Sequence, residues 1–146
     1  IVDGGERAGW TLHDLTGEGG ILAHRDLASP HRLGRYGVDM ACFHRVVLPQ
    51  LVLDSPADVH LIDEIGAIAP WSEAFMAAMD RLLDSGRPVV AIVGRNVRHA
   101  YPGTILARGD CAVWAVTEAN RDELVDEVVA WIVSQQRCGV GAAAVS

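Results

Sequence analysis

Apolar and polar positions change rhythm several times along this chain. From Arg7 to Leu15 they alternate: Ala8, Trp10 and Leu12 are set against Arg7, Thr11 and His13, and Thr16-Gly17-Glu18-Gly19-Gly20 then supplies turn chemistry before Ile21-Leu22-Ala23-His24. This predicts an N-terminal β-hairpin. Past a polar loop with Ser29-Pro30 the spacing becomes helical, with Asp39 as a cap and Phe43, Val46, Val47 and Leu51 on one stripe, bent by Pro49. After the Ser55-Pro56 break, Val59 to Ile62 is a short apolar run, predicted to be a parallel strand buried on both faces.

A helix follows, capped by Ser72, with Phe75, Met76, Met79, Leu82 and Leu83 inward and Gly86 as its stop. Pro88 to Val93 and Cys111 to Val116 are further apolar strands, separated by a looser segment from Gly94 to Gly109 that has Pro102-Gly103 at its middle. The last helix spans about Ala119 to Val133, with Leu124, Val128, Trp131 and Ile132 inward and Glu118, Asp122 and Glu123 at the positive end of its dipole. Strands alternating with helices predict an α/β fold: a mostly parallel sheet with helices on both faces, preceded by the hairpin. One domain, 1–136, is expected, and 137–146, with the run Gly139-Val140-Gly141-Ala142-Ala143-Ala144, is expected to be a frayed tail.

Composition narrows the function. The 146 residues are 50% apolar, enough for one core, and the formal charge of -7 disfavours a nucleic-acid or anionic-membrane surface. Three widely spaced cysteines, Cys42, Cys111 and Cys138, form neither a disulfide framework nor a CxxC knuckle, so a reducing cytoplasm is expected. No apolar run approaches a membrane span. All 12 basic residues are arginines, and no lysine occurs. The first residue is Ile1 and the first methionine Met40, so the chain is expected to start downstream of its gene's start.

The chemistry concentrates in Ile62-Asp63-Glu64-Ile65-Gly66, where an apolar strand ends in two carboxylates. Ligand sites of open α/β sheets lie outside the carboxyl ends of strands, and a strand ending in Asp-Glu matches a Walker B arrangement: the aspartate for Mg²⁺, the glutamate for the attacking water. The plainer alternative is that Asp63 caps a turn and Glu64 is a solvated loop residue. A metal hydrolase using Cys42 and His44 lacks any ligand spacing, and no G-x-S-x-G marks a serine hydrolase.

Several blocks in order, Leu33 to Asp39 (LGRYGVD), Phe43 to Pro49 (FHRVVLP), IDEIG, Ser72 to Phe75 (SEAF), Leu82 to Ala91 (LLDSGRPVVA) and Thr117 to Leu124 (TEANRDEL), resemble the thermophilic-type nucleoside-triphosphatases, small P-loop NTPases. The resemblance covers nearly the whole chain. It implies hydrolysis of ATP, GTP and other nucleoside triphosphates to the diphosphate and phosphate with Mg²⁺. It makes Asp63 the metal ligand and Glu64 the catalytic, water-activating carboxylate. It offers Arg35 and the pair Asn120-Arg121 as nucleotide-binding residues, and phosphoryl-transfer chemistry adds Arg95, with Arg98 beside it, as a charge-stabilising nucleotide contact; Arg35, Arg95 and Arg98 also suit a solvated surface, and Asn120 with Glu123 also suits a helix cap. The family's opening strand and its G-x-x-x-x-G-K-[ST] loop are missing from the chain.

Two expectations follow. The intact protein is a nucleoside-triphosphatase of which this chain is the C-terminal part, inactive as given. Alternatively, the chain is a non-catalytic remnant that binds a partner or self-associates through an exposed sheet edge, because loss of the first strand would leave apolar surface open unless another segment fills the gap.

Overall fold

The structure, a computed structural model, describes residues 1–94, 99–138 and 142–145. A small ribbon opens it: β1 (Val2–Asp3) and β2 (Glu6–Arg7) pair across Gly4 and Gly5, which both take positive φ as a two-residue hairpin turn requires. The predicted hairpin follows as β3 (Gly9–His13) and β4 (Gly19–His24). Its turn is built by Asp14, whose Oδ1 accepts hydrogen bonds from Thr16 N (2.9 Å), Thr16 Oγ1 (2.7 Å) and Glu18 N (3.0 Å).

The polar loop after the hairpin holds two strands that the apolar pattern does not reveal. They are β5 (Arg32–Leu33) and β6 (Tyr36–Val38), which extend the hairpin into a four-stranded antiparallel sheet ordered β3-β4-β6-β5. Each is too short to show a period of two. Gly34, at φ 58°, turns one into the other.

Helix α1 (Met40–Val47) begins at Asp39, whose carboxylate accepts from Cys42 N at 3.0 Å, and gives way to a 3-10 turn over Leu48–Gln50 where Pro49 removes a donor. Phe43 and Val46 are buried, and Leu51, just past the turn, is buried as well. The parallel sheet contains β7 (His60–Ile65), β8 (Val89–Val93), β9 (Cys111–Trp114) and β10 (Ala142–Val145). Helix α2 (Glu73–Leu83) is capped by Ser72, whose Oγ accepts from Phe75 N at 3.0 Å, and Gly86 at φ 73° reverses the chain toward β8.

Helix α3 (Ala100–Leu106) lies within the segment expected to be irregular. Pro102 is tolerated because it stands in the first turn, where its missing N–H has no helical partner to lose. Tyr101 and Ile105, one turn apart, are its buried residues. Tyr101 Oη donates to Asp80 Oδ1 (2.9 Å) and to the Met76 carbonyl (3.0 Å), tying α3 to α2. Burial first, and the Asp80 carboxylate second, hold this phenol far above its ordinary pKa. Helix α4 (Arg121–Cys138) docks by Trp131, edge-on to Trp114 of β9 with ring centroids 6.1 Å apart.

Two expectations are corrected. The tail is not frayed throughout: Ala142–Val145 forms β10, parallel to β8 on one side and β9 on the other, so the order β7-β8-β10-β9 has no open gap. An interior strand gets its hydrogen bonds from both neighbours, so a segment that is mostly alanine can fill the place, which is why composition misleads there. Nor is β7 buried on both faces. Leu61 is 69% exposed, and in register with it Val90 and then Ile92 lie on the same, partly open face of β8. The opposite face carries the core, with Val89, Ala91 and Val93 against Phe75, Met79 and Leu82 of α2 and Ile105 of α3.

At the amino end of β7, His60 is only 7% exposed, and neither ring nitrogen has a hydrogen-bond partner among the described residues. Burial, then the nearby Arg87 guanidinium, lower its pKa below the ordinary 6.5, against a smaller opposing pull from the Val52 carbonyl. The unfolded chain therefore binds more protons than the folded one as pH drops below about 6.5, and stability contributed by neutral His60 is lost in that direction. His60→Leu removes the unsatisfied ring. We expect it to stabilise the fold by about 1 kcal/mol at pH 5.5 and to flatten the decline below pH 6.5, as read from urea midpoints across pH.

Candidate active site

The parallel pairing of β7 with β8 is interrupted where the acidic residues stand. Ile62 is opposite Ala91 and Ile65 is opposite Val93, so three steps along β7 match two along β8. This is a β-bulge, and it falls on Asp63-Glu64. A regular strand would send neighbouring side chains to opposite faces; the extra residue breaks that alternation, and both carboxylates are exposed while Ile65 immediately after them is wholly buried. The Gly94 amide donates to the Ile65 carbonyl at 3.2 Å and so closes the ladder beyond the bulge.

Both carboxylates border a cavity of about 370 Å³. Leu12, Leu22 and Leu33 of the antiparallel sheet form one wall, Phe43 and Val47 of α1 another, and Ile62, Phe75 and the loop Gly66 to Ala69 complete it. Phe43 and Phe75 meet at 5.6 Å between ring centroids. A second cavity, of about 330 Å³, shares Leu12, Val47, Ile62, Asp63 and Phe75 and opens past His13, Asp14 and Gln50. Asp63 therefore borders both cavities and Glu64 the first only. At the rim of the second, hydrogen bonds from Thr16 above all hold the Asp14 carboxyl below its usual range, so Asp14 is spent on its turn.

The loop leaving β7 is held from two sides. Trp71 stacks on His31 with centroids 5.4 Å apart, and Ser72 Oγ lies 2.7 Å from His44 Nε2 on α1. Sequence reasoning found Ser72 only as a cap. Nothing in the spacing signals His31 or His44, because both contacts join segments far apart in the chain.

Among the described residues, the other candidates Arg35, Asn120 and Arg121 have their polar partners elsewhere than the acidic pair. Arg35 is held by its neighbours: Nη2 donates to the Arg7 carbonyl (3.0 Å), Nε to Tyr36 Oη (3.1 Å), and Nη1 lies 3.5 Å from Glu6 Oε2. Asn120 is engaged in the turn between β9 and α4. Its Oδ1 accepts from Thr117 N (2.7 Å) and Thr117 Oγ1 (2.9 Å), and its Nδ2 donates to the Ala115 carbonyl (2.9 Å). Arg121 is exposed, its Nε 3.8 Å from Asp122 Oδ1. Arg95 and Arg98 lie outside the described residues.

Mg²⁺ suits the donors present. Asp63 and Glu64 supply exposed hard oxygens, and Mg²⁺ commonly takes one or two carboxylates, with water and substrate phosphates filling the remaining positions. Among the described residues no group of three or more His, Cys, Asp or Glu is placed to enclose a metal, an arrangement such a shared site does not require. Also among them, no helix is long and apolar enough to cross a membrane.

A family model described as NTPase matches residues 1–129. The chain belongs to this NTPase family. The blocks read from the sequence identify the same family, and its curated relatives bear that out. Nucleoside-triphosphatase THEP1 of Thermofilum pendens is 35% identical over 139 residues, covering 92% of this chain and 75% of the relative. That of Methanosarcina acetivorans is 34% identical over 125 residues (85% and 70%), and that of Thermotoga sp. strain RQ2 32% over 126 residues (86% and 72%). The crystal structure of THEP1 from the hyperthermophile Aquifex aeolicus superposes with a TM-score of 0.75 over 86% of this chain and 77% of that one, at 22% identity. That likeness confirms the α/β fold of this NTPase-family chain, with its parallel sheet and packed helices.

The Asn120 geometry generates a stability prediction. Asn120→Ala removes three hydrogen bonds that shape the entry to α4 and should cost about 1–2 kcal/mol in urea unfolding, whereas Arg121→Ala, which removes an exposed 3.8 Å pair, should change stability by less than about 0.5 kcal/mol.

Proposed function

We propose that this chain carries the metal- and water-handling part of a nucleoside-triphosphatase, hydrolysing a nucleoside triphosphate to the diphosphate and phosphate. The observation that supports it is the β7 bulge, which turns Asp63 and Glu64 outward together at the carboxyl end of a parallel strand, beside a cavity. The relatives' name, nucleoside-triphosphatase, agrees with the reading.

Asp63 is the residue that would hold Mg²⁺, and Glu64 the one that orients water. When bound, Mg²⁺ would neutralise charge developing on the phosphate oxygens. Glu64 accepts a hydrogen bond from the attacking water and takes its proton as the water oxygen bonds to the γ-phosphorus. The bond from that phosphorus to the bridging oxygen breaks, and the electron pair stays on the diphosphate. Positioning and charge supply most of such catalysis, so the carboxylates need a firm scaffold.

The phosphate grip is the part these residues do not provide. No lysine and no G-x-x-x-x-G-K-[ST] occur in the 146 residues. The roles proposed for Asp63 and Glu64 therefore carry no phosphate-gripping group with them among these residues. Of the basic candidates, Arg121 is open to solvent, and Arg95 and Arg98 follow β8, whose carboxyl end neighbours that of β7. Asn120 shapes the turn between β9 and α4.

A second reading, a non-catalytic module that binds a partner or another copy of itself, is favoured by one observation. Val125, Val129 and Val133 form an exposed stripe at four-residue spacing along α4.

Steady-state assays with MgATP and MgGTP on the protein as its gene encodes it separate the two. Glu64→Gln should lower kcat by about 10²- to 10⁴-fold with little change in KM, and Asp63→Asn should raise the Mg²⁺ concentration needed for half-maximal rate. Turnover that survives Glu64→Gln would refute the role given to Glu64, and absence of any turnover in the gene-encoded protein would favour the module.

A further inference from the structure

The glycines of this chain are glycine for different reasons, and Gly66 stands apart. Gly4, Gly5, Gly17, Gly34 and Gly86 take positive φ, where a side chain is strained. At Gly9, Gly19 and Gly37 a Cβ would run into a main-chain carbonyl oxygen of a neighbouring segment. Gly66 meets neither condition. Its φ is not positive, and the three atoms nearest to a Cβ built there all belong to the side chain of Glu64: Oε1, Cδ at 2.9 Å and Cγ at 3.1 Å. The Glu64 side chain thus folds back over the residue two places on, and Gly66 is buried although Glu64 itself is exposed.

We propose that Gly66 is a positioning residue for Glu64: its bare α-carbon is the seat on which the carboxylate rests at the edge of the cavity. The inference builds on Glu64 as the group that takes the water's proton. Any Cβ at position 66 has to displace that carboxylate. The obstructing atoms are the far part of a flexible side chain and not backbone, so the displacement is cheap for the fold. It is costly for chemistry, because a general base misplaced by about 1 Å can lose on the order of 10²-fold in rate. The acidic pair and the glycine after it then form one device: the bulge turns Glu64 out of the strand, and the missing side chain at 66 sets where its carboxylate comes to rest.

A double-mutant cycle tests the proposal on the gene-encoded protein, with wild type, Gly66→Ala, Glu64→Gln and the double variant. We expect Gly66→Ala to lower kcat about 10²-fold with KM unchanged and Tm within about 3 °C, and the double variant to be no slower than Glu64→Gln. Wild-type kcat in Glu64→Gln overturns the reading of Glu64, and the proposal with it. Loss of kcat in Glu64→Gln alongside full activity in Gly66→Ala overturns the proposal alone. So does a Gly66→Ala loss that persists undiminished in the Glu64→Gln background. A readout independent of turnover uses the 146-residue chain: NMR should give cross-relaxation between Glu64 Hγ and Gly66 Hα, and its absence overturns the proposal whatever the kinetics.

Discussion

The parallel ladder between β7 and β8 is the constraint on which the site depends. From His60 to Ile62 it runs in strict register with Val89 to Ala91, and it resumes only at Ile65 opposite Val93. Those two anchored stretches are held by burial, since Val89, Ala91, Val93 and Ile65 are each at most 2% exposed. The residues between them have no such hold and are two carboxylates, which gain by facing water. Core packing and carboxylate hydration therefore act in the same sense: the buried residues pin the strand on either side, and the acidic pair is squeezed outward at one defined place.

What gives that place a ligand-sized hollow is the second sheet. The hairpin β3-β4 and the short strands β5 and β6 present Leu12, Leu22 and Leu33 toward α1 and the end of β7. Helix α1 places Phe43 in the core and Val47 against it, and both line the cavity. The loop beyond Gly66 is tied down by Trp71 on His31 and by Ser72 against His44. The acidic pair thus stands between a packed core and a stapled loop, which suits groups whose work is positioning.

Much of this is legible in the sequence, and what is not has physical reasons. The hairpin, the caps at Asp39 and Ser72, the run Pro88 to Val93 and the stop at Gly86 announce themselves because local chemistry decides them. Helix α3 escapes notice because seven residues with Pro102-Gly103 inside carry a weak period, and tertiary contacts of Tyr101 and Ile105 hold it. Strand β10 escapes because its stability comes from two neighbours and not from its own alanines. Of the site, the chemistry at Asp63-Glu64 is readable from residue types. The bulge that exposes both carboxylates is not, since register belongs to a pair of strands. Asn120 reads in the sequence as a helix cap with Glu123, whereas its side chain is engaged with Thr117 and Ala115, a geometry that the spacing alone does not reveal.

The bulged end of β7 is, on the proposed function, where a metal-nucleotide meets this fold. Paramagnetic broadening of backbone amide signals by MnATP, with Mn²⁺ standing in for Mg²⁺, measures that proximity directly in the gene-encoded protein. Ile62 to Gly66 should broaden first, and Asp63→Asn should weaken the effect. Sharp signals there, with broadening confined to the hairpin tip at Asp14 to Glu18 or to the turn at Thr117 to Arg121, would contradict that placement.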